Sequence, residues 1–258
     1  MKRLDLAVAT ALAGLAAFVG AQAFVTRQAH AERSHNGEPV VSEGSNAVAS
    51  APTRRAVRRS ADDDPNAEDV RRRIELASPN TYIGEVLASH DSALARWPER
   101  RTDPLRVWIQ PVARIRNWSP TSLQLVRDAF LEWGETGVPI NFTFVLDSAS
   151  ANVHVTWVDR FREPISGKTL WTHDERWYIL EANVTIAVHH QGGDALDRAA
   201  TRAIALHEVG HLLGLDHASD STSIMAPRVR VKELSPADRA TVQLLYSLPP
   251  GRVGKRRA

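Results

Sequence analysis

His207, Glu208 and His211 lie within five consecutive positions of the sequence. On a helix, residues four apart share a face, so both imidazoles can reach one metal ion. Gly214 permits the left-handed turn that ends a helix, and the chain can then reverse so that His217 supplies a third nitrogen. Three neutral imidazoles leave the fourth position of a tetrahedral zinc open for water. The spacing therefore predicts a catalytic zinc site with His207, His211 and His217 as ligands.

The stretch from His207 to His217, HEVGHLLGLDH, resembles the HExxHxxGxxH zinc signature of the metzincin metalloproteases. Downstream, the stretch Ser223–Pro227 resembles the Met-turn of the matrixins, the matrix-metalloprotease-like family. The resemblance covers roughly residues 104–248. It implies that Met225 forms an apolar floor beneath the histidines.

The segment Leu234–Tyr246 is similar to the matrixin C-terminal helix, and it begins with a capping residue at Ser235. The sequence also departs from the family. It contains no cysteine, which excludes the cysteine switch of matrixin propeptides. His173 and Asp174 only faintly resemble the structural zinc and calcium loops of matrixins, so structural calcium is possible but unsupported. Val229 replaces a tyrosine that commonly lines the specificity pocket.

The ligand set and the resemblance together predict a zinc-dependent metalloendopeptidase. Zinc lowers the pKa of its bound water toward about 7 and polarises the scissile carbonyl. Glu208, the predicted catalytic residue, accepts the proton of that water and passes it to the departing amine. Family analogy implies that an extended peptide pairs with the exposed edge of a strand at Asn183–His189. The alternative is a catalytically inactive zinc-binding surface module, against which an intact Glu208 argues.

The elements that position these residues are visible in the hydrophobic pattern. Alternation with a period of two predicts strands, and apolar residues three and four apart predict helices. The order of strand, helix, strands and helix predicts an α+β metzincin-type catalytic domain, with a twisted mixed sheet, covering helices and an active-site helix. The predicted elements are strands at Leu105–Gln110, Ile140–Phe144, Val153–Trp157 and Asn183–His189, a helix from Ser119–Pro120 to near Gly134, and an active-site helix capped by Asp194.

The first 25 residues are predicted to be a signal peptide or a membrane anchor. Lys2 and Arg3 precede an uncharged apolar stretch from Leu6 to Val25, which is close to the length that spans a bilayer. Either interpretation predicts an exported protein that is secreted or anchored outside the cytoplasm.

Residues 26–102 are polar and rich in charges of both signs, which predicts a disordered linker. Within it, a short helix is expected at Glu68–Leu76 and some order near Tyr82–Leu87. The catalytic domain is expected to span residues 103–250, and residues 251–258 form a short basic tail.

The composition limits the choice of metal ligands and partners. Because cysteine is absent, thiolate zinc sites and disulfides are excluded. A net charge of +2 gives no strong field toward nucleic acid, although the arginine runs leave a tethered nucleic-acid or lipid binder as a rival. That alternative needs a closed structural metal site, which usually has four protein ligands, whereas the sequence indicates only three. The expected partners are protein or peptide substrates, without nucleic acid, and with membrane contact only through the N-terminal segment. The sequence does not indicate an oligomeric state.

Overall fold

The computed structural model describes residues 65–253 of the 258-residue chain. The predicted signal or anchor segment and the last five residues of the predicted tail lie outside the described residues. The helices are α1 (Pro65–Ala77), α2 (Ile83–Ser89), α3 (Thr121–Gly134), α4 (Arg198–Leu212) and α5 (Pro236–Ser247), with short 3-10 turns at Ser78–Asn80 and Ser148–Ser150. Among the described residues, none of the helices is long and apolar enough to cross a membrane.

A five-stranded mixed sheet supports the helices. Its strand order is β3-β2-β4-β6-β5, with the first four strands parallel and β5 antiparallel to β6. The predicted α+β class with a mixed sheet and covering helices is confirmed. The strands are β1 (Ala93–Leu94), β2 (Arg100–Ile109), β3 (Ile140–Val145), β4 (Val153–Val158), β5 (Gly167–His173), β6 (Ile179–Ala187) and β7 (Gly251–Arg252).

Strand β5 is the edge strand next to the active-site helix, and the sequence analysis did not predict it. The strand expected at Asn183–His189 is β6, which pairs with β4 on one side and with β5 on the other. The prediction that this strand has an exposed edge is therefore wrong. Strand β5 escaped prediction because only Thr169 and Trp171 are buried, and neither belongs to an aliphatic alternation.

Helix α3 agrees with the helix predicted from Ser119–Pro120. Its apolar stripe is buried, since Val126, Phe130 and Trp133 are at most 1% exposed. The indole Nε1 of Trp133 donates a hydrogen bond to the carbonyl oxygen of Leu206 at 2.8 Å. This contact fastens α3 to α4, so the helix that carries the histidines is held from the side.

Residues 65–102 contain α1, α2 and β1, so the prediction of a disordered linker over residues 26–102 is wrong for this part. Val70 and Ile74 lie four apart on one face of α1 and are buried, and Val86 of α2 is fully buried. A few apolar side chains at helical spacing anchor the segment although its average composition is polar. The remaining linker residues, before residue 65, lie outside the described part of the chain.

The C-terminal end of the described chain pairs with a short strand that precedes the main sheet in the sequence. Strand β1 pairs antiparallel with β7, so that Leu94 lies opposite Gly251. The backbone N–H of Val253 also donates to the carbonyl oxygen of Ser92 at 2.7 Å. The predicted basic tail of residues 251–258 therefore begins later than expected, because its first three residues complete this small sheet.

Candidate metal centre

Helix α4 carries two of the predicted ligands and begins at a side-chain cap. The carboxylate of Asp197 accepts a hydrogen bond from the backbone N–H of Ala200 at 2.7 Å. Asp194 was predicted as this cap, which is wrong. The carbonyl oxygen of Asp194 instead accepts from the N–H of His190 at 2.8 Å, in the turn before the helix.

The end of α4 explains why a glycine follows the second histidine. Gly214 has a φ of +97°, and a Cβ at this position would collide with the carbonyl oxygen of Ala95. The N–H of Leu215 donates back to the carbonyl oxygen of Gly210 at 3.1 Å. This turn ends the helix and brings His217 back toward it, as the spacing predicts.

The three predicted ligands lie together. His207, His211 and His217 each offer a ring nitrogen within 4.8 Å of the others, and no other described group of three or more His, Asp or Glu side chains does this. The Nε2 atoms of His207 and His211 are 3.1 Å apart. His207 and His211 are buried, whereas His217 is half-buried.

Hydrogen bonds fix the tautomers of the two helical histidines. The Nδ1 atom of His207 is 2.7 Å from the carbonyl oxygen of Ile224, and that of His211 is 3.0 Å from the carbonyl oxygen of Leu215. A carbonyl oxygen only accepts, so each Nδ1 donates a proton and each Nε2 keeps a free lone pair.

The protonation state also suits a cation. Burial lowers the pKa of His207 to about 4, and burial together with the neighbouring imidazoles lowers the pKa of His211 well below its usual value. The rings are therefore neutral, and two Nε2 lone pairs face each other. A shared cation relieves this repulsion, and neutral imidazole nitrogens are preferred ligands of zinc, so the cluster fits a zinc site.

His217 lies next to Asp216, an acidic residue that the sequence motifs did not indicate. Asp216 Oδ1 accepts from the backbone N–H of His217 at 2.6 Å and lies 3.8 Å from its Nδ1, a distance too long for a hydrogen bond. Burial lowers the pKa of His217, and the charge of Asp216 opposes that shift. Asp216 Oδ2 is also 3.6 Å from Nε2 of buried His90, which comes from the segment predicted as linker.

Glu208 is 4% exposed and packs against the edge strand. The hydroxyl of Thr169, in β5, donates to Glu208 Oε2 at 2.6 Å. Burial raises the pKa of the Glu208 carboxyl to about 8, while the Thr169 hydrogen bond and the charge of Lys168 act in the opposite direction. Sequence reasoning missed Thr169, because no motif links a strand residue to a helix 39 positions later.

Met225 packs against the C-terminal part of the active-site helix. It is fully buried, and a Cβ added at Gly210 would overlap with its sulfur atom. Gly210 lies directly before His211, so Met225 approaches the helix between the two helical histidines. The resemblance to the Met-turn anticipates this position.

The turn that carries Met225 is held by Asp238, which is fully buried in α5. Its carboxylate accepts from the hydroxyl of Ser223 and from the N–H of Ile224 at 3.0 Å. It also accepts from the N–H of Ser235 at 2.7 Å, which completes a capping box with the predicted helix start. The Tyr82 hydroxyl donates to the same carboxylate at 3.1 Å.

The sequence features that faintly resemble structural metal loops have other contacts. The ring of His173 stacks on Trp177 with centroids 4.2 Å apart. Asp174 Oδ1 accepts from the N–H groups of Arg176 and Tyr178, both at 2.9 Å, and so closes a turn.

Part of the chain is similar in sequence to known metalloproteases. Residues 158–247 match the matrixin family model. The chain is 34% identical to human matrix metalloproteinase-16 over 94 residues, covering 34% of this chain and 13% of that protein. It is 25% identical to the metalloendoproteinase 5-MMP of Arabidopsis thaliana over 176 residues, covering 60% of this chain and 46% of that protein. The chain thus spans less than half the length of these relatives.

Proposed function

This chain is matrixin-like over residues 158–247, and on that premise we propose that it is a zinc-dependent metalloendopeptidase acting on protein or peptide substrates. The observation that carries the proposal is that two imidazoles with free Nε2 atoms converge on the same helix that carries a buried carboxyl, Glu208. Metal-assisted hydrolysis uses a Lewis acid and a base at one place, and this helix offers ligands for the first and a candidate for the second.

The zinc would be held by three histidines. His207 and His211 would bind it through Nε2, and His217 through one of its ring nitrogens. When bound, zinc supplies Lewis-acid activation of a water molecule and of the scissile carbonyl. The backbone carbonyl oxygens of Ile224 and Leu215 orient two of the rings by accepting their Nδ1 protons. Met225 forms the apolar floor against which the active-site helix packs at Gly210.

Glu208 is the proposed general base. Burial raises the pKa of this carboxyl, so in its ionised form it accepts a proton more readily than an exposed glutamate does. The carboxyl accepts the proton of the attacking water and returns it to the departing amine. Because Glu208 is not one of the proposed zinc ligands, its replacement by alanine is expected to leave the histidine cluster intact.

The substrate is expected to bind as an extended strand along β5. In the described sheet, β5 is an edge strand that pairs with β6. Main-chain pairing recognises a polypeptide with little dependence on its sequence. In this proposal the peptide lies along the same strand whose Thr169 donates a hydrogen bond to Glu208.

The domain organisation remains part of the proposal. We infer a catalytic domain that includes the predicted residues 103–250 and extends to residues 65–253, which contain the helices and strands described above. Residues 1–25 are proposed as a signal peptide or membrane anchor that exports the protein, and the residues between them and α1 as a linker.

The test is cleavage of a peptide library by the full-length chain loaded with zinc. Glu208→Ala should retain zinc but lose on the order of a hundredfold or more in turnover, since a positioned base contributes about that much. Glu233→Ala, at an exposed glutamate, is the matched control and should resemble the wild type. Turnover of Glu208→Ala within tenfold of the wild type would contradict the proposed base and favour another source of activity.

A further inference from the structure

Two residues of β5 face the carboxyl of Glu208. Residues 167 and 169 lie on the same face of the strand, because side chains alternate along it. Thr169 is 4% exposed, and its hydroxyl lies 2.6 Å from Glu208 Oε2 and 3.0 Å from the Glu208 carbonyl oxygen. This is a long-range contact between the edge strand and the active-site helix.

The hydroxyl has only one proton to donate. It lies closer to Glu208 Oε2, at 2.6 Å, than to the main-chain oxygen, at 3.0 Å, so the side-chain oxygen is its main acceptor. The second contact, to the main-chain oxygen, holds the Thr169 hydroxyl against the backbone of the helix. Together they restrict the rotation of the Glu208 side chain.

Gly167 provides the space that the same carboxyl occupies. A Cβ built at Gly167 would overlap with Oε1, Cδ and Cγ of Glu208, with Oε1 the nearest atom. The φ of Gly167 is not positive, so the backbone conformation does not explain this glycine. Its lack of a side chain is instead required by the close approach of Glu208.

We propose that Thr169 and Gly167 are positioning residues for the general base: Thr169 holds Oε2 by a donated hydrogen bond, and Gly167 leaves room for Oε1. This inference rests on the proposed peptidase function. Oε1 is then the oxygen that takes the proton of the attacking water, and it lies over the first residue of the strand along which the peptide binds.

Pairing between β5 and β6 fixes the backbone positions of Gly167 and Thr169. Gly167 pairs with Ile186 and Thr169 with Val184, so both residues are fixed by the ladder between β5 and β6. The strand that aligns the substrate therefore also aligns the base. A displacement of about 1 Å in such a group can cost on the order of a hundredfold in rate.

The test compares variants of the zinc-loaded full-length chain in a peptide cleavage assay. Thr169→Val keeps the shape but loses the donor, and kcat should fall at least tenfold while KM and zinc content stay within twofold of the wild type. Thr169→Ser keeps the hydroxyl and should retain kcat within threefold. Thr143→Val, the same change at an exposed threonine of β3 on the opposite edge of the sheet, is the matched control and should leave kcat unchanged.

A structural measurement separates this inference from the proposed function. In crystals of the zinc-free protein, Thr169→Val should move the Glu208 carboxylate by more than 1 Å, and Gly167→Ala, which tests the same contact from the other side, should move Oε1. Unchanged carboxylate positions, or a kcat for Thr169→Val within twofold of the wild type, would overturn the inference. If the wild type cleaves no peptide, the proposed function fails and the carboxylate positions alone decide the role of Thr169.

Discussion

The phenol of Tyr82 donates a hydrogen bond to Asp238 Oδ1 at 3.1 Å, although 156 positions separate the two residues in the sequence. Both side chains are buried. Burial, followed by the charge of Asp238, raises the pKa of Tyr82 well above its usual value, so the phenol keeps the proton that it donates. Since Asp238 also holds the turn that carries Met225, the segment of residues 65–102 is connected to the floor of the candidate metal centre.

The first prediction concerns this connection. Tyr82→Phe removes one donor from a buried carboxylate and should lower the free energy of unfolding by about 1.5 to 3 kcal/mol. Leu76→Ala, at a 76% exposed position in α1, is the control and should change it by less than about 0.5 kcal/mol. Urea unfolding of the full-length chain measures both. Equal midpoints for Tyr82→Phe and the wild type would show that this hydrogen bond does not contribute to stability.

The second prediction concerns the turn before His217. Gly214→Ala forces a Cβ onto a residue with a φ of +97° and into the carbonyl oxygen of Ala95, so it should destabilise the chain by about 1 to 3 kcal/mol or more and reduce zinc content.

Gly84→Ala is the matched control for the turn. Gly84 lies in α2 with open space around its Cα, so alanine should stabilise the chain by about 0.4 to 1 kcal/mol. Chemical denaturation compares the two variants, and a shift of the same sign in both would contradict the role given to Gly214.

The ligand cluster could be predicted because its geometry is local. The helical period places His207 and His211 on one face, and the left-handed turn at Gly214 returns His217 to it. The Met-turn and the start of α5 are similarly short-range patterns. The sheet was predicted for the same reason wherever aliphatic residues alternate strictly.

The residues that support the cluster could not be predicted in this way. Thr169, Asp216 and His90 act through contacts that depend on strand register and on the packing of distant segments. A one-residue change in the pairing of β5 would turn Thr169 away from Glu208. The predicted cap at Asp194 was wrong by three positions, because two aspartates precede α4 and only the folded turn selects Asp197.

The third prediction is a pH dependence of the zinc-free protein. The folded pKa of His207, about 4, lies below its unfolded value of about 6.5, so the unfolded chain binds more protons between these values. Stability from this group is complete above pH 6.5 and is lost as the pH falls toward 4. The folded pKa of Glu208, about 8, lies above the ordinary value of 4.5, so its contribution is lost as the pH rises toward 8.

Thermal unfolding between pH 5 and pH 8.5 measures these opposing trends. In the wild type, ionisation of Glu208 should lower the free energy of unfolding by up to about 1.4 kcal/mol per pH unit between pH 6.5 and pH 8. Glu208→Gln cannot ionise and should not show this loss. Identical pH profiles for Glu208→Gln and the wild type would mean that the carboxyl is not buried in solution as described.

The central claim is that one metal ion, held by three histidines, makes this chain a peptidase. The direct measurement strips the full-length protein with a chelator and follows cleavage of an internally quenched peptide as zinc is added back. The account predicts activity near zero without metal and a plateau at one zinc per chain. His211→Ala should show no plateau at that ratio, because two imidazoles hold the ion poorly, whereas His190→Ala, at an exposed histidine, should follow the wild type. Cleavage that survives metal removal, or a peptide that stays intact at every zinc concentration, would contradict the account.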